Sequence, residues 1–231
     1  MSDGQPTEYA GGMSSEKATV EGERRWPMAV TLLVAMALPL LLPPKFLRGP
    51  DWAVSLIEGV LLVALIVADP GRIDRRSALV RGLSIGLVVI LVIGAAVATA
   101  KLVVDIVSGG PETNSASLLL RVGSLVWLYL IITFAFLYWE LDSGGPEARA
   151  RATPQFPHFA FPEQINPQIA TPGWRPEFFD YLYLGFTNAI AFSPTDVMPT
   201  AKWAKLAMAV QATSSLIVLG LVIARAVNIL K

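Results

Sequence analysis

Two acidic residues stand where their chemistry would matter most: Glu58 lies inside an apolar run, and Asp196 lies in the turn sequence SPTD. Glu58 is about 10 Å along its segment, residues 52–68, if that segment is a helix rising 1.5 Å per residue. An ionisable group at such a depth in a bilayer costs about 2.5 to 3.5 kcal/mol, so it is a functional hypothesis by default. Two interpretations stay open. Glu58 binds a proton or a cation inside a helix bundle, or it is a hydrogen-bonded residue that helps the helices pack.

Composition excludes most catalytic and metal-binding chemistry. The chain has no cysteine and a single histidine, His158, which has no acidic or histidine partner at ligand spacing. The patterns HExxH, GxxxxGK[ST] and GxSxG are also absent. We therefore expect no enzymatic activity, no metal and no cofactor, and we interpret His158 as a surface residue. Nucleic acid is not an expected partner, because 18 basic residues are offset by 18 acidic ones.

The composition indicates a protein of the lipid bilayer. Of the 231 residues, 54% are hydrophobic and 16% are charged, whereas soluble domains carry about a quarter of charged residues. Residues 1–27 are polar and predict a disordered cytoplasmic tail. Apolar segments suited to crossing about 30 Å of hydrocarbon follow at residues 28–42, 52–68, 78–107, 118–140 and 203–230. The predicted fold class is all-α, a polytopic membrane helix bundle with five to six transmembrane segments.

A sixth apolar segment, residues 178–192, decides between five and six spans. It follows a stretch, residues 142–177, whose seven prolines forbid a continuous helix. As a helix, its 15 residues would reach only about 22 Å, so it is either a short span or a re-entrant hairpin. The chain is accordingly divided into the tail at 1–27, a four-helix transmembrane region at 28–141, the proline-rich loop at 142–177 and a C-terminal helix pair at 178–231.

Basic residues favour the six-span arrangement, because cytoplasmic loops carry an excess of Lys and Arg. With the N-terminus inside, six spans leave 12 basic residues on the cytoplasmic side and 6 outside. A re-entrant segment dipping in from the outer face reverses this ratio and exports the basic loop DPGRIDRRS. We therefore predict a multi-pass protein of the inner membrane with both termini cytoplasmic. Both arrangements place the SPTD turn on the outer face.

The sequence YLGFTNAIAFSPTDVMP, residues 183–199, and the apolar helix after it resemble the pore loop and inner helix of two-transmembrane potassium channels. In that family a pore helix leads into TVGYGD, then a hydrophobic pair, a proline and the inner helix. The resemblance covers roughly the last quarter of the chain. It implies filter-like or pore-like roles for a run of polar and turn residues: Thr187, Asn188, Ser193, Pro194, Thr195 and Asp196.

The filter region departs from that pattern at its two glycines. Those positions hold Ser193 and Thr195, with Pro194 between them, so a cage of stacked carbonyls of the kind that selects potassium is not expected. The chain is more similar to multi-span bacterial membrane proteins of the ion-channel superfamily whose filter motif has degenerated. From the residues alone, SPTD followed by Thr200 is also typical of an ordinary outer loop with a helix start.

Two functions follow as hypotheses. In the first, the protein is ion-channel-like, with the lipid bilayer and a small cation as partners, and forms a homo-oligomer because one helix pair cannot enclose a pathway. In the second, it is a non-conducting membrane scaffold or accessory protein.

Overall fold

The computed structural model describes residues 22–43, 51–68, 72–73, 77–110, 114–151, 156–190 and 196–230. Eight helices lie within these ranges: α1 Trp26–Leu40, α2 Asp51–Ala68, α3 Ala78–Ser108, α4 Ala116–Leu141, α5 Pro146–Arg151, α6 Pro162–Ile165, α7 Phe178–Ile190 and α8 Lys202–Ile229. Four two-residue strands form two antiparallel pairs, β1 Glu23–Arg24 with β2 Arg72–Ile73 and β3 Phe159–Ala160 with β4 Met198–Pro199. The all-α prediction is confirmed.

Three of the described helices, α3, α4 and α8, are long and apolar enough to cross a membrane. The prediction of five or six spans is not confirmed, because α1 has 15 residues and would reach only about 22 Å as a helix. α3 ends sharply at Gly109, whose left-handed φ of 68° closes the helix with a hydrogen bond from the Gly110 N–H to the Asp105 carbonyl at 2.9 Å.

α4 is the central helix of the bundle. It contacts α1, α3, α7 and α8. Of an apolar 18-residue stretch in α4, 61% is buried, whereas the corresponding stretches of α3 and α8 are each 28% buried. A helix that is apolar all round suits such a central position, whereas the outward faces of α3 and α8 leave apolar side chains exposed, as a lipid environment allows.

The two ends of the bundle can be told apart by their contacts. At one end, here named the Glu23 end, β1 pairs with β2 and Glu23 bonds to Trp139 near the end of α4 and to the first residue of α7. Here α1, α3 and α7 begin, and α2 and α4 end. At the other end, here named the Arg225 end, Arg225 Nη2 donates to Asn114 Oδ1 at 3.0 Å, just before α4.

α8 begins at the Glu23 end and runs antiparallel to α4. Near its start, Trp203 Nε1 donates to His158 Nδ1 at 3.2 Å, and the same nitrogen accepts the Ser143 N–H at 3.2 Å just after α4. Midway, Trp127 Nε1 donates to Ser215 Oγ at 2.5 Å. The chain therefore begins its described part at one end of the bundle and finishes α8 at the other.

α7 runs parallel to α8 and stops partway along it. The last residues of α7 lie beside Met208, Gln211 and Ser215, and Ser215 is the fourteenth of the 28 residues of α8. After α7 the chain returns to the Glu23 end, where β4 pairs with β3. α7 is therefore a short helix whose last residues lie beside the middle of α8.

This geometry bears on two sequence-based predictions. A crossing by residues 178–192 requires α7 and α8 to be antiparallel, so the parallel course of these helices does not support the six-span arrangement. Glu23 and Ile229 lie at opposite ends of the bundle, so the described residues do not support the prediction that both termini share one side.

Candidate functional site

Gln211 of α8 is the centre of a polar network that holds α7 against the bundle. Its side chain is fully buried. Its Oε1 accepts hydrogen bonds from Tyr138 Oη and from Asn188 Nδ2, both at 2.7 Å, and its Nε2 donates to the Gly185 carbonyl at 2.7 Å. Asn188 Nδ2 also donates to the Met208 carbonyl at 3.0 Å. The network therefore joins α4, α7 and α8, and each of its bonds is made within one chain.

Ser215 satisfies one carbonyl at the C-terminal end of α7. A helix leaves its last four carbonyls without intrahelical partners, so those of α7 need partners from elsewhere. Ser215 Oγ donates to the Ala189 carbonyl at 2.8 Å and accepts from Trp127 Nε1. Gly185 permits the close approach of α7, because a Cβ there would lie 3.0 Å from the Ile131 carbonyl of α4.

The predicted pore-like residues separate in the structure. Asn188 joins the buried network, whereas Thr187 Oγ1 donates to the Tyr183 carbonyl of its own helix at 2.9 Å. Asp196 is exposed at the Glu23 end. Ser193, Pro194 and Thr195 lie outside the described residues. The outward face of α7 is apolar and exposed, with Phe179, Tyr183, Phe186 and Ile190.

Glu58 forms a second polar contact, separate from α7. Its side chain is 1% exposed and hydrogen-bonds to Tyr129 of α4. This geometry supports the interpretation of Glu58 as a hydrogen-bonded residue that helps the helices pack.

A third cluster, at the Glu23 end, fixes the junction of α4 with α7. Arg149 Nη1 donates to the carbonyls of Trp139 and Asp142 at 2.8 and 2.7 Å, and its guanidinium lies 4.8 Å from the Tyr181 ring centroid. Tyr181 Oη donates to Asp142 Oδ2 at 2.5 Å. Glu23 accepts from Trp139 Nε1 at 2.9 Å. Burial raises the pKa of the Glu23 carboxyl to about 7, even though these donors and Arg149 lower it.

Sequence reasoning missed this cluster and misplaced His158. Half-buried rather than a surface residue, His158 accepts from Ser143 and Trp203 and anchors the proline-rich loop to the start of α8. The available signal was the aromatic and charged content of residues 139–181 in an otherwise apolar chain, which is typical of a packed polar layer rather than of a linker.

The arrangement holds a half-helix inside a bundle and satisfies its inner polar groups. Among the residues that the structure describes, no group of three His, Cys, Asp or Glu side chains is placed to hold a metal ion. No protein-family model, curated protein or solved structure matches the chain.

Proposed function

We propose that the protein is a channel-like subunit of the inner membrane that carries small cations, with α7 as a re-entrant half-helix beside α8. The observation that carries this proposal is the parallel course of the two helices, with α7 ending near the middle of α8. In membrane proteins, segments that stop at half depth are tolerated where protein buries them or where they line a water-filled cavity. The C-terminal end of a helix carries a partial negative charge, which favours cations at half depth.

Basic residues support an orientation with the Glu23 end in the cytoplasm. Among the described residues, nine basic residues lie at this end, and three, Lys101, Arg121 and Arg225, lie toward the Arg225 end. The nine are Arg24, Arg25, Arg72, Arg81, Arg149, Arg151, Arg175, Lys202 and Lys205. α7 then enters from the cytoplasmic face, Asp196 faces the cytoplasm rather than the exterior, and α8 finishes outside.

A pathway in this proposal requires several copies of the chain. The inner face of α7 is closed by Gln211 and Ser215, so a single bundle offers cations no polar route past them. The face that remains for contact with other copies carries the exposed aromatic residues of α7. A homo-oligomer arranged around α7 and α8 follows from the proposal.

One observation favours the second candidate, a non-conducting scaffold. Asn188, Gln211 and Ser215 are buried and bonded to groups of their own chain. In this function, the half-helix only packs the bundle and presents its outer face to a membrane partner.

Flux into proteoliposomes tests the first candidate against the second. Purified full-length protein is reconstituted, and cation entry is followed under a gradient with empty vesicles as the baseline. We expect flux in the parent protein and a reduced flux in Asp196→Ala, at the exposed position that follows α7. Flux should be unchanged in the control variant Glu163→Ala, a half-buried carboxylate in the proline-rich loop. Absence of flux in correctly folded parent protein rejects the channel, and a strictly monomeric mass in detergent rejects a shared pathway.

A further inference from the structure

Three helices build a closed polar site around Glu58. Glu58 comes from α2 and hydrogen-bonds to the hydroxyl of Tyr129 from α4, and the two side chains are 1% and 3% exposed. α3 contributes Gly94, where an added Cβ would lie 2.5 Å from Tyr129 Oη. Only the missing side chain at Gly94 leaves room for the tyrosine hydroxyl to reach across to the carboxyl.

One oxygen of this carboxyl is unused. Glu58 Oε1 is buried and has no hydrogen-bond partner among the described residues. A carboxylate oxygen without donors is far more costly in an apolar interior than a neutral carboxylic acid. The unused oxygen is therefore a position at which a proton stabilises the bundle.

Among the side chains that the structure describes, Glu58 has no counter-ion. α1 has no ionisable residue, and Glu58 is the only one in residues 56–67 of α2. On α3 the nearest ionisable residue to Gly94 is Lys101, and on α4 the nearest cation to Tyr129 is Arg121. These are seven and eight residues away, or about 10 to 12 Å along the helices, so Tyr129 is the one titratable group on these helices that reaches the carboxyl.

We propose that Glu58 and Tyr129 form a proton-binding site inside the bundle. When the site is occupied, one oxygen of Glu58 carries the proton and the carboxylic acid is neutral. When the proton leaves, the carboxylate carries one negative charge and Tyr129 Oη donates the only hydrogen bond to it. The site lies on α2 and α4, so it goes beyond the cation pathway proposed for α7 and α8 and does not depend on it.

Infrared difference spectroscopy of the full-length protein in lipid tests the site without a reagent having to enter it. The sample is titrated from about pH 5 to about pH 9, the range in which a buried carboxyl exchanges its proton. We expect one component of the C=O stretching band of protonated carboxylic acids, separate from that of Glu23, to titrate in the parent, to disappear in Glu58→Gln and to shift in frequency in Glu58→Asp. The band should persist in Glu140→Gln, a matched control, because Glu140 is similarly buried but accepts from Ser84 Oγ at 2.6 Å.

Tyr129→Phe tests the site independently, because a purely structural role of Tyr129 would not change the pH at which the band titrates. Removing the donor leaves the ionised form without its hydrogen bond, and hydrogen bonds to charged groups contribute about 1.5 to 3 kcal/mol, or roughly tenfold or more in an equilibrium. The variant should hold its proton about tenfold more tightly, so the band persists to higher pH. Spectra that are identical in the parent and in Glu58→Gln would overturn the proposal, as would a titration of the band that Tyr129→Phe leaves unchanged.

Discussion

Glu23 accepts a hydrogen bond from Trp139 Nε1 at 2.9 Å across 116 residues of sequence. The other oxygen of the same carboxyl accepts the N–H of Phe178, the first residue of α7. Because the first N–H groups of a helix have no intrahelical partner, Glu23 satisfies one of them while it ties the N-terminal segment to the end of α4. One side chain thus positions the point at which the half-helix begins.

The stability of the protein should fall as this carboxyl ionises. Burial raises the pKa of Glu23 to about 7 in the folded protein, against 4.5 for the unperturbed group. Between these values the folded state binds more protons than the unfolded state, so the free energy of unfolding decreases as pH rises from about 4.5 to about 7. Thermal unfolding in detergent, followed by circular dichroism, should show Tm declining over that range. Glu23→Gln should make this decline smaller.

The matched control for this experiment is Glu147→Gln, because Glu147 forms a surface pair with Arg151 at 2.8 Å. It should keep the parent slope of Tm against pH. If Glu23→Gln and the parent lose stability equally over the interval, the carboxyl of Glu23 does not govern it.

Replacing Gln211 should destabilise the bundle strongly. Gln211→Leu keeps the volume but leaves Tyr138 Oη without its acceptor and the Gly185 carbonyl without its donor, and each unsatisfied buried polar group costs about 1 to 3 kcal/mol. Denaturant unfolding in detergent should report a loss in this range or above it. Gln168→Leu, at an exposed position of the proline-rich loop, should change the free energy of unfolding little.

A double-mutant cycle with Asn188→Leu separates the network from simple packing. Because Asn188 Nδ2 donates to Gln211 Oε1, removing both partners should cost less than the sum of the two single changes. Additive losses would mean that the two side chains act independently.

Glycines should divide into two groups when changed to alanine. A Cβ at Gly123 would lie 2.7 Å from Val222 Cγ2, whereas nothing lies within 4 Å of a Cβ at Gly86 or Gly220. Gly123→Ala should therefore force α4 and α8 apart and lower Tm. Gly86→Ala and Gly220→Ala should be neutral or stabilising by up to about 1 kcal/mol, since alanine is the better helix former. Equal effects at the three positions would contradict this packing.

The positions of the helices could be predicted from the sequence, but the direction of α7 could not. Apolar runs identify α3, α4 and α8 because their lengths match a bilayer, and a 15-residue run fits a short span and a half-helix equally well. The short course of α7 depends on its distant partners Gln211 and Ser215, and no pattern in the sequence pairs these residues with α7. Likewise, the sequence alone does not distinguish Gly82, Gly86 and Gly94 of α3, yet of these only Gly94 makes a close contact.

Single-cysteine labelling distinguishes the re-entrant course from a crossing, and the chain offers a clean background because it contains no cysteine. Thr171 and Asp196 are exposed on either side of α7 in the sequence, and Ser115 is exposed just before α4. A half-helix places 171 and 196 on one side of the membrane and 115 on the other. If α7 crosses the membrane instead, residue 171 lies on one side and residues 115 and 196 lie together on the other.

We expect an impermeant maleimide added to intact cells to label Ser115→Cys and to reach Thr171→Cys and Asp196→Cys only after the membrane is opened. We expect this outcome because α7 and α8 are parallel and because the basic residues favour a cytoplasmic location for the Glu23 end. External labelling of 171 and 196, with 115 protected, would keep the half-helix and reverse the orientation. Labelling of 196 together with 115 would exclude a re-entrant α7, because the chain would then have crossed the bilayer between Phe178 and Asp196.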